Sequence, residues 1–163
     1  MHLVRRFCSS LVARDPDAAT VARVRTILTD AEFACWRAMP RADRAESVAT
    51  LRSLPPAVAA DDRWAAAALL HDVGKAASGL GTFGRAVATA RGAVFGADRV
   101  GGRAGRYLRH PEIGAGMLQE AGARAEVVAW AAAHHDPAHW PVDHIPADVC
   151  AALARADGEC ADS

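Results

Sequence analysis

Two short apolar runs, Trp64–Leu70 and Val127–Ala133, each end on a polar doublet: His71-Asp72 after the first, His134-His135 after the second. Each run is seven residues long, far short of the roughly 20 that cross a bilayer. They are core segments, and their content decides the kind of core. Alanine supplies four of the seven residues in both. Alanine loses no side-chain entropy in a helix, whereas the aromatic residues that favour strands make up 6% of the chain. The 163 residues suit one hydrophobic core. The expectation is an all-α fold, a single-domain helical bundle.

Capping and breaking residues divide the chain into helices. Leu3–Ala13 has helical spacing and stops at Asp15-Pro16. A second helix is expected over Asp17–Leu28, with Val21, Val24 and Leu28 on one face. Thr29-Asp30-Ala31-Glu32 reads as a capping box opening a helix through Met39 that buries Phe33 and Trp36. Further helices are expected over Ala42–Leu54, Arg63–Val73 (capped by Asp61 or Asp62), Pro111–Ala121, Ala123–His135 and Pro146 to about Cys160. Eight of the thirteen glycines lie between Gly79 and Gly105, where only a short helix over Thr82–Ala90 is expected.

Formal net charge is zero, so no global field draws in nucleic acid or an anionic membrane, and any preference for anions must come from local clusters. One such cluster exists. Between Arg85 and Arg109 stand six arginines and one acid, Asp98, a segment that reads either as a phosphate lid or as a solvated face. Aromatic residues are too sparse there for single-stranded nucleic acid. Cysteines 8, 35, 150 and 160 form no CxxC pair and read as reduced thiols. Arg5 and Arg6 precede too short an apolar stretch for a signal peptide. The expected location is cytoplasmic, with no membrane partner.

The chemistry concentrates at helix ends. His71-Asp72 and His134-His135 close apolar helices, His110 precedes the Pro111 helix, and Asp157 lies on the last one. Adjacent residues on a helix point about 100° apart, so both reach one cluster only near an end. Imidazoles and carboxylates delivered into a core need partners, and a metal cation pairs them most simply. This donor mixture suits manganese, iron, zinc or nickel.

At these residues the chain resembles a family. Leu69-Leu70-His71-Asp72-Val73-Gly74-Lys75 is similar to the signature of the HD superfamily of metal-dependent phosphohydrolases. His110-Pro111-Glu112-Ile113-Gly114, His134-His135-Asp136 and Ala156-Asp157 resemble the further ligands of its binuclear members, including the HD-GYP phosphodiesterases. Glu32, Trp36, Met39 and Asp43-Arg44 are similar to the lead-in of small stand-alone HD proteins. The resemblance implies N-terminal helices over 1–40 packing on an HD metal-binding domain over 41–160.

It also implies two divalent metal ions (manganese, iron, zinc, nickel or magnesium). One would be held by position 46, His71, Asp72 and Asp157. Asp72 would bridge to a second held by His110, His134 and His135. Asp72 and Lys75 are the implied catalytic residues. Lys75 would reach a phosphate oxygen or a carboxylate behind the ligands.

Two departures stand out. Asp136-Pro137-Ala138-His139-Trp140-Pro141 replaces the Gly-Tyr-Pro segment of the HD-GYP group, which argues against cyclic di-GMP hydrolysis. Within Asp43-Arg44-Ala45-Glu46-Ser47, Glu46 stands where the family carries its first metal histidine; a glutamate there makes a harder, more anionic ligand. The implied function is hydrolysis of a nucleotide or other small phosphate ester, by a phosphomonoesterase or phosphodiesterase. The alternative is a catalytically attenuated HD-fold module that binds metal or nucleotide.

Overall fold

Local chemistry sets most helix boundaries. The computed structural model describes residues 15–96 and 99–158, which contain helices and no strand. The helix expected over Leu3–Ala13, Cys8 and Cys160 lie outside the described residues. Asp17 caps α1 (Ala18–Ile27), its carboxylate accepting from the Thr20 amide at 2.8 Å. Thr29 and Glu32 form a reciprocal capping box at the start of α2 (Asp30–Ala38). Prolines precede α3 (Arg41–Ser53) and the one-turn α4 (Pro56–Ala59), and the Asp61 side chain caps α5 (Asp62–Leu70).

A 3₁₀ helix, Val73–Ser78, leads to α6 (Thr82–Phe95) and α7 (Gly102–Leu108). Then come α8 (His110–Glu120), α9 (Ala125–Ala133), a short 3₁₀ turn (Pro137–His139) and α10 (Ala147–Asp157). Gly158 closes α10 at φ +83°, a left-handed conformation that glycine adopts without a Cβ clash.

α5 is the axis of the bundle, with α1, α2, α3, α4, α9 and α10 packed around it. All residues from Trp64 to Leu70 are buried. A helix enclosed on every side can carry only small or well-fitted side chains, which accounts for its alanines. One apolar cluster, including Ile27, Trp36, Leu69 and Leu118, lies against one flank; a second, including Trp64, Trp130, Ile145 and Leu153, lies against the other. Two buried polar groups away from the histidines are matched: Trp36 Nε1 donates to Ser47 Oγ at 3.0 Å, and fully buried Glu32 takes Arg124 Nε at 2.9 Å and Nη2 at 2.7 Å.

Three expectations are corrected. The helix expected to run to Val73 stops at Leu70, because Asp72 leaves helical geometry (φ −99°, ψ 9°) and the chain tightens into the 3₁₀ helix. α6 continues past Ala90 to Phe95: Gly92 does not break it, because the space beside its Cα is filled by Leu108 of α7. α7 itself lies within and just beyond the glycine-rich stretch that reads as irregular, and tertiary packing on α6 and the 3₁₀ helix supports it.

Candidate metal centre

The two apolar helices end alike. His71 is the C-cap of α5 and His134 the C-cap of α9. The last carbonyls of a helix lack intrahelical donors, and each imidazole turns back to fill that need. His71 Nδ1 lies 3.0 Å from the Ala68 carbonyl, and His134 Nδ1 lies 3.0 Å from the Ala131 carbonyl. His110, at the start of α8, does the same to Tyr107 at 2.8 Å. A carbonyl only accepts, so each Nδ1 carries a proton, and in the neutral ring Nε2 then presents a lone pair. The sequence shows the doublets but not these anchors; the recurring offset of three residues at a helix end was the available signal.

All three Nε2 atoms converge on Asp72. His71 Nε2 is 3.2 Å from Asp72 Oδ2 and 3.2 Å from Asp157 Oδ1. His110 Nε2 is 3.1 Å, and His134 Nε2 3.7 Å, from Asp72 Oδ1. His135 joins through Nε2, 3.1 Å from His110 Nε2. Among the described residues, two groups can therefore hold a metal ion: His71, Asp72 and Asp157, and Asp72, His110, His134 and His135. All are buried except His135, which is exposed and opens the second group to solvent.

A backbone contact brings the groups together. A Cβ on Gly74 would lie 2.0 Å from the His110 carbonyl oxygen and 2.6 Å from Gly114 N. Only glycine lets the 3₁₀ helix and α8 approach so closely. The His71-Asp72 turn is thereby held beside His110.

Charge is arranged to match. Burial pushes the Asp72 carboxyl up, but Lys75 and His71, helped by His110 and His134, outweigh it and hold the group well below the usual carboxylate range. Burial lowers His110, aided by Lys75 and His135, and lowers His134, aided by His71 and His135. Both are thus neutral donors. Burial would also lower His71, but Asp72 and Asp157 prevail and draw positive charge to that point.

Lys75 Nζ meets Asp72 Oδ2, a carboxylate of the ligand set itself and not one behind it. Burial disfavours its charge, but Asp72, Glu46 and Tyr107 raise its pKa. Glu46 lies on α3, half-buried and within electrostatic reach of Lys75, and belongs to neither group.

The arginine segment is partly committed elsewhere. Arg85 grips buried Asp43 with both guanidinium nitrogens and donates to the Leu80 carbonyl at 3.0 Å. Arg103 donates to the carbonyls of Ser78 and Gly79, and Arg106 to that of Ala77. These three arginines act as a clasp on the end of the 3₁₀ helix, a role the sequence reading did not anticipate. Tyr107, also unforeseen, stacks on His110 with ring centroids 5.7 Å apart. Beyond the centre, His139 is exposed and pairs with Asp136, and Trp140 packs on Trp130.

The donor set fits a metal. Nε2 of His71, Nε2 of His134 and Oδ1 of Asp72 are buried without a properly formed hydrogen bond, although polar atoms lie 3.1–3.7 Å away. Lone pairs aimed at one another in a dry interior are costly unless a cation lies among them.

Comparison with known proteins agrees with the geometry. The family model of the HD domain matches residues 44–160, a span that contains every residue of both groups. No curated protein and no solved structure matches the chain. HD domains are generally metal-dependent hydrolases. An all-α fold, a buried histidine–aspartate cluster and a family match over most of its length together place this chain in the HD domain family.

Proposed function

We propose that this protein is a metal-dependent phosphohydrolase, cleaving a nucleotide or another small phosphate ester as a phosphomonoesterase or phosphodiesterase. One observation carries the reading: Asp72 offers Oδ2 to the His71 side and Oδ1 to the His110 and His134 side. A carboxylate so placed suits two divalent ions sharing one bridge, the first on His71, Asp72 and Asp157 and the second on Asp72, His110, His134 and His135. Such a pair, when bound, acidifies water and clamps the attacking and leaving oxygens of an in-line displacement.

The chain's own contribution is preorganisation. Three backbone carbonyls fix the imidazoles, so nothing need rotate when charge develops. Lys75 is a positioning residue, keeping Asp72 ionised and oriented. Exposed His135 marks the side from which a substrate phosphate enters.

A second reading, an attenuated metal- or nucleotide-binding module, is favoured by Glu46, which stands apart from both groups. Elemental analysis of anaerobically purified protein separates the two. Two metals per chain, together with turnover of nucleotide or p-nitrophenyl esters that Asp72→Asn abolishes, supports the enzyme; a fall toward one metal in Glu46→Ala, restored in Glu46→His, adds Glu46 to the first site. One metal throughout and no turnover supports the module. No metal after reconstitution with manganese, iron or zinc defeats the enzyme and the metal-binding module, and no nucleotide binding in calorimetry then defeats the second reading as a whole.

A further inference from the structure

Four of the five exposed large apolar side chains among the described residues lie on α6: Phe83, Val87, Val94 and Phe95. Phe83 is 74% exposed and Val94 73%. The inward face of the helix is made of its smallest residues instead. Ala88 is 1% exposed, Gly84 faces Leu80, and a Cβ on Gly92 would lie 2.9 Å from Leu108. A helix that serves only its own fold turns Phe and Val inward and small residues outward. α6 does the reverse. Positions 83, 87, 90 and 94 follow i, i+4, i+7, i+11 spacing and form one continuous stripe, with Ala86, Ala90 and Ala93 exposed on and beside it.

Charge identifies what would cover this stripe. Thr82–Phe95 contains no acid. Arg91 lies exposed beside the stripe and Arg99 on the segment that follows, while Arg103 and Arg106, also exposed, donate to the carbonyls of Ser78, Gly79 and Ala77. The span from Arg85 to Arg109 holds six arginines and one aspartate, in a chain whose net charge is zero. We propose that the outward face of α6, with its flanking arginines, docks on an anionic lipid surface.

Three arguments favour that occupant. An apolar stripe edged by guanidinium groups matches a bilayer interface, where apolar side chains enter the acyl boundary and cations meet lipid phosphates. A second copy packed face to face would bring Arg91 and Arg99 up against their own counterparts. Nucleic acid would meet two phenylalanines, Phe83 and Phe95, at opposite ends of the helix and no run of stacking platforms between them. The bidentate pair of Arg85 with buried Asp43 fastens α6 to the bundle, so the face is presented on a fixed element. Neutral net charge gives no global attraction to membranes; Arg91 and Arg99 supply exposed positive charge locally, on and just after α6.

The test is co-flotation of the full chain with vesicles of phosphatidylcholine alone or containing about one third phosphatidylglycerol. Two double variants, Phe83→Ser/Val94→Ser and Arg91→Gln/Arg99→Gln, change only exposed side chains, and circular dichroism checks that their helicity is intact. Wild type is expected to float with the anionic vesicles, to be released by high salt, and to ignore the neutral ones. Each double variant is expected to lose binding by on the order of tenfold. Failure of wild type to float, or equal flotation of Phe83→Ser/Val94→Ser, overturns the proposal. So does a dimer in sedimentation that this variant converts to monomer, or a preference for single-stranded oligonucleotide over vesicles. None of these readouts depends on hydrolytic activity.

Discussion

His110 and His135 point their Nε2 atoms at each other across 3.1 Å, and the same His110 atom lies 3.1 Å from a buried carboxylate oxygen of Asp72. With its proton held at Nδ1 by the Tyr107 carbonyl, His110 brings a lone pair to that meeting point. A cation resolves the conflict, and affinity should follow the number of donors. His135→Ala is expected to lose about one metal per chain, and Asp72→Ala to lose nearly all. Chelation should lower the melting temperature of wild type more than that of Asp72→Ala, since a ligand at about 100 times its Kd stabilises by about 2.7 kcal/mol. Elemental analysis and calorimetry check both; equal metal content in His135→Ala would remove this residue from the site.

Gly74 is the point where one methyl group would matter most. Its Cβ would strike the His110 carbonyl and the Gly114 backbone, neither of which can rotate away. Gly74→Ala is expected to cost about 3 kcal/mol in urea denaturation, the upper range for overpacking. It should also weaken metal binding by separating the His71-Asp72 turn from His110. Gly116→Ala, on the facing helix α8 with open space at its Cβ, is the control and should be neutral or slightly stabilising.

Glu32 makes acid stability testable away from the metal centre. Burial raises its pKa, but Arg124 and the amides of Thr29 and Arg124 outweigh this and hold it below its ordinary value of 4.5. A depressed folded-state pKa means the unfolded chain takes up the proton first. The stabilisation is complete above the unfolded value and disappears as pH falls through the folded one. Glu32→Gln is expected to cost about 3 kcal/mol near neutrality, because it leaves Arg124 facing a neutral amide. Its stability should then decline less than that of wild type between about pH 5 and pH 3. Chemical denaturation across that range would show parallel curves if the pair were unimportant.

Arg85 and Asp43 form the tie between α6 and the bundle. Asp43 is buried, so removing Arg85 leaves a carboxylate without its counter-charge. Arg85→Ala is expected to cost about 3 kcal/mol, and Asp43→Ala/Arg85→Ala to cost less than the sum of the singles. Hydrogen exchange should show the loss first in the amides of α6. Uniform protection across α6 in Arg85→Ala would mean that packing on α7, not the ion pair, holds the helix.

The sequence alone determined the helical class, most of the caps and the set of polar residues that the core would have to absorb. Alanine-rich runs, the Thr29–Glu32 capping box and Asp61 act through neighbours a few positions away, and such interactions are written in order along the chain. The His71-Asp72 and His134-His135 doublets were legible for the same reason: each stands at the end of an apolar run.

What only the tertiary structure decided depends on residues far apart in sequence. The Gly74–Gly114 contact sets the distance between the histidine groups, and the two oxygens of Asp72 acquire different neighbours only once α5, α8 and α9 are packed. Glu46 is not among the residues of either group, and α3 places it within electrostatic reach of Lys75, which spacing could not show. α6 turns its large apolar residues outward and packs its small ones inward, Gly92 against the Leu108 side chain of α7. Local interactions choose the elements; the close packing of their surfaces chooses which faces meet, and with them where the chemistry lies.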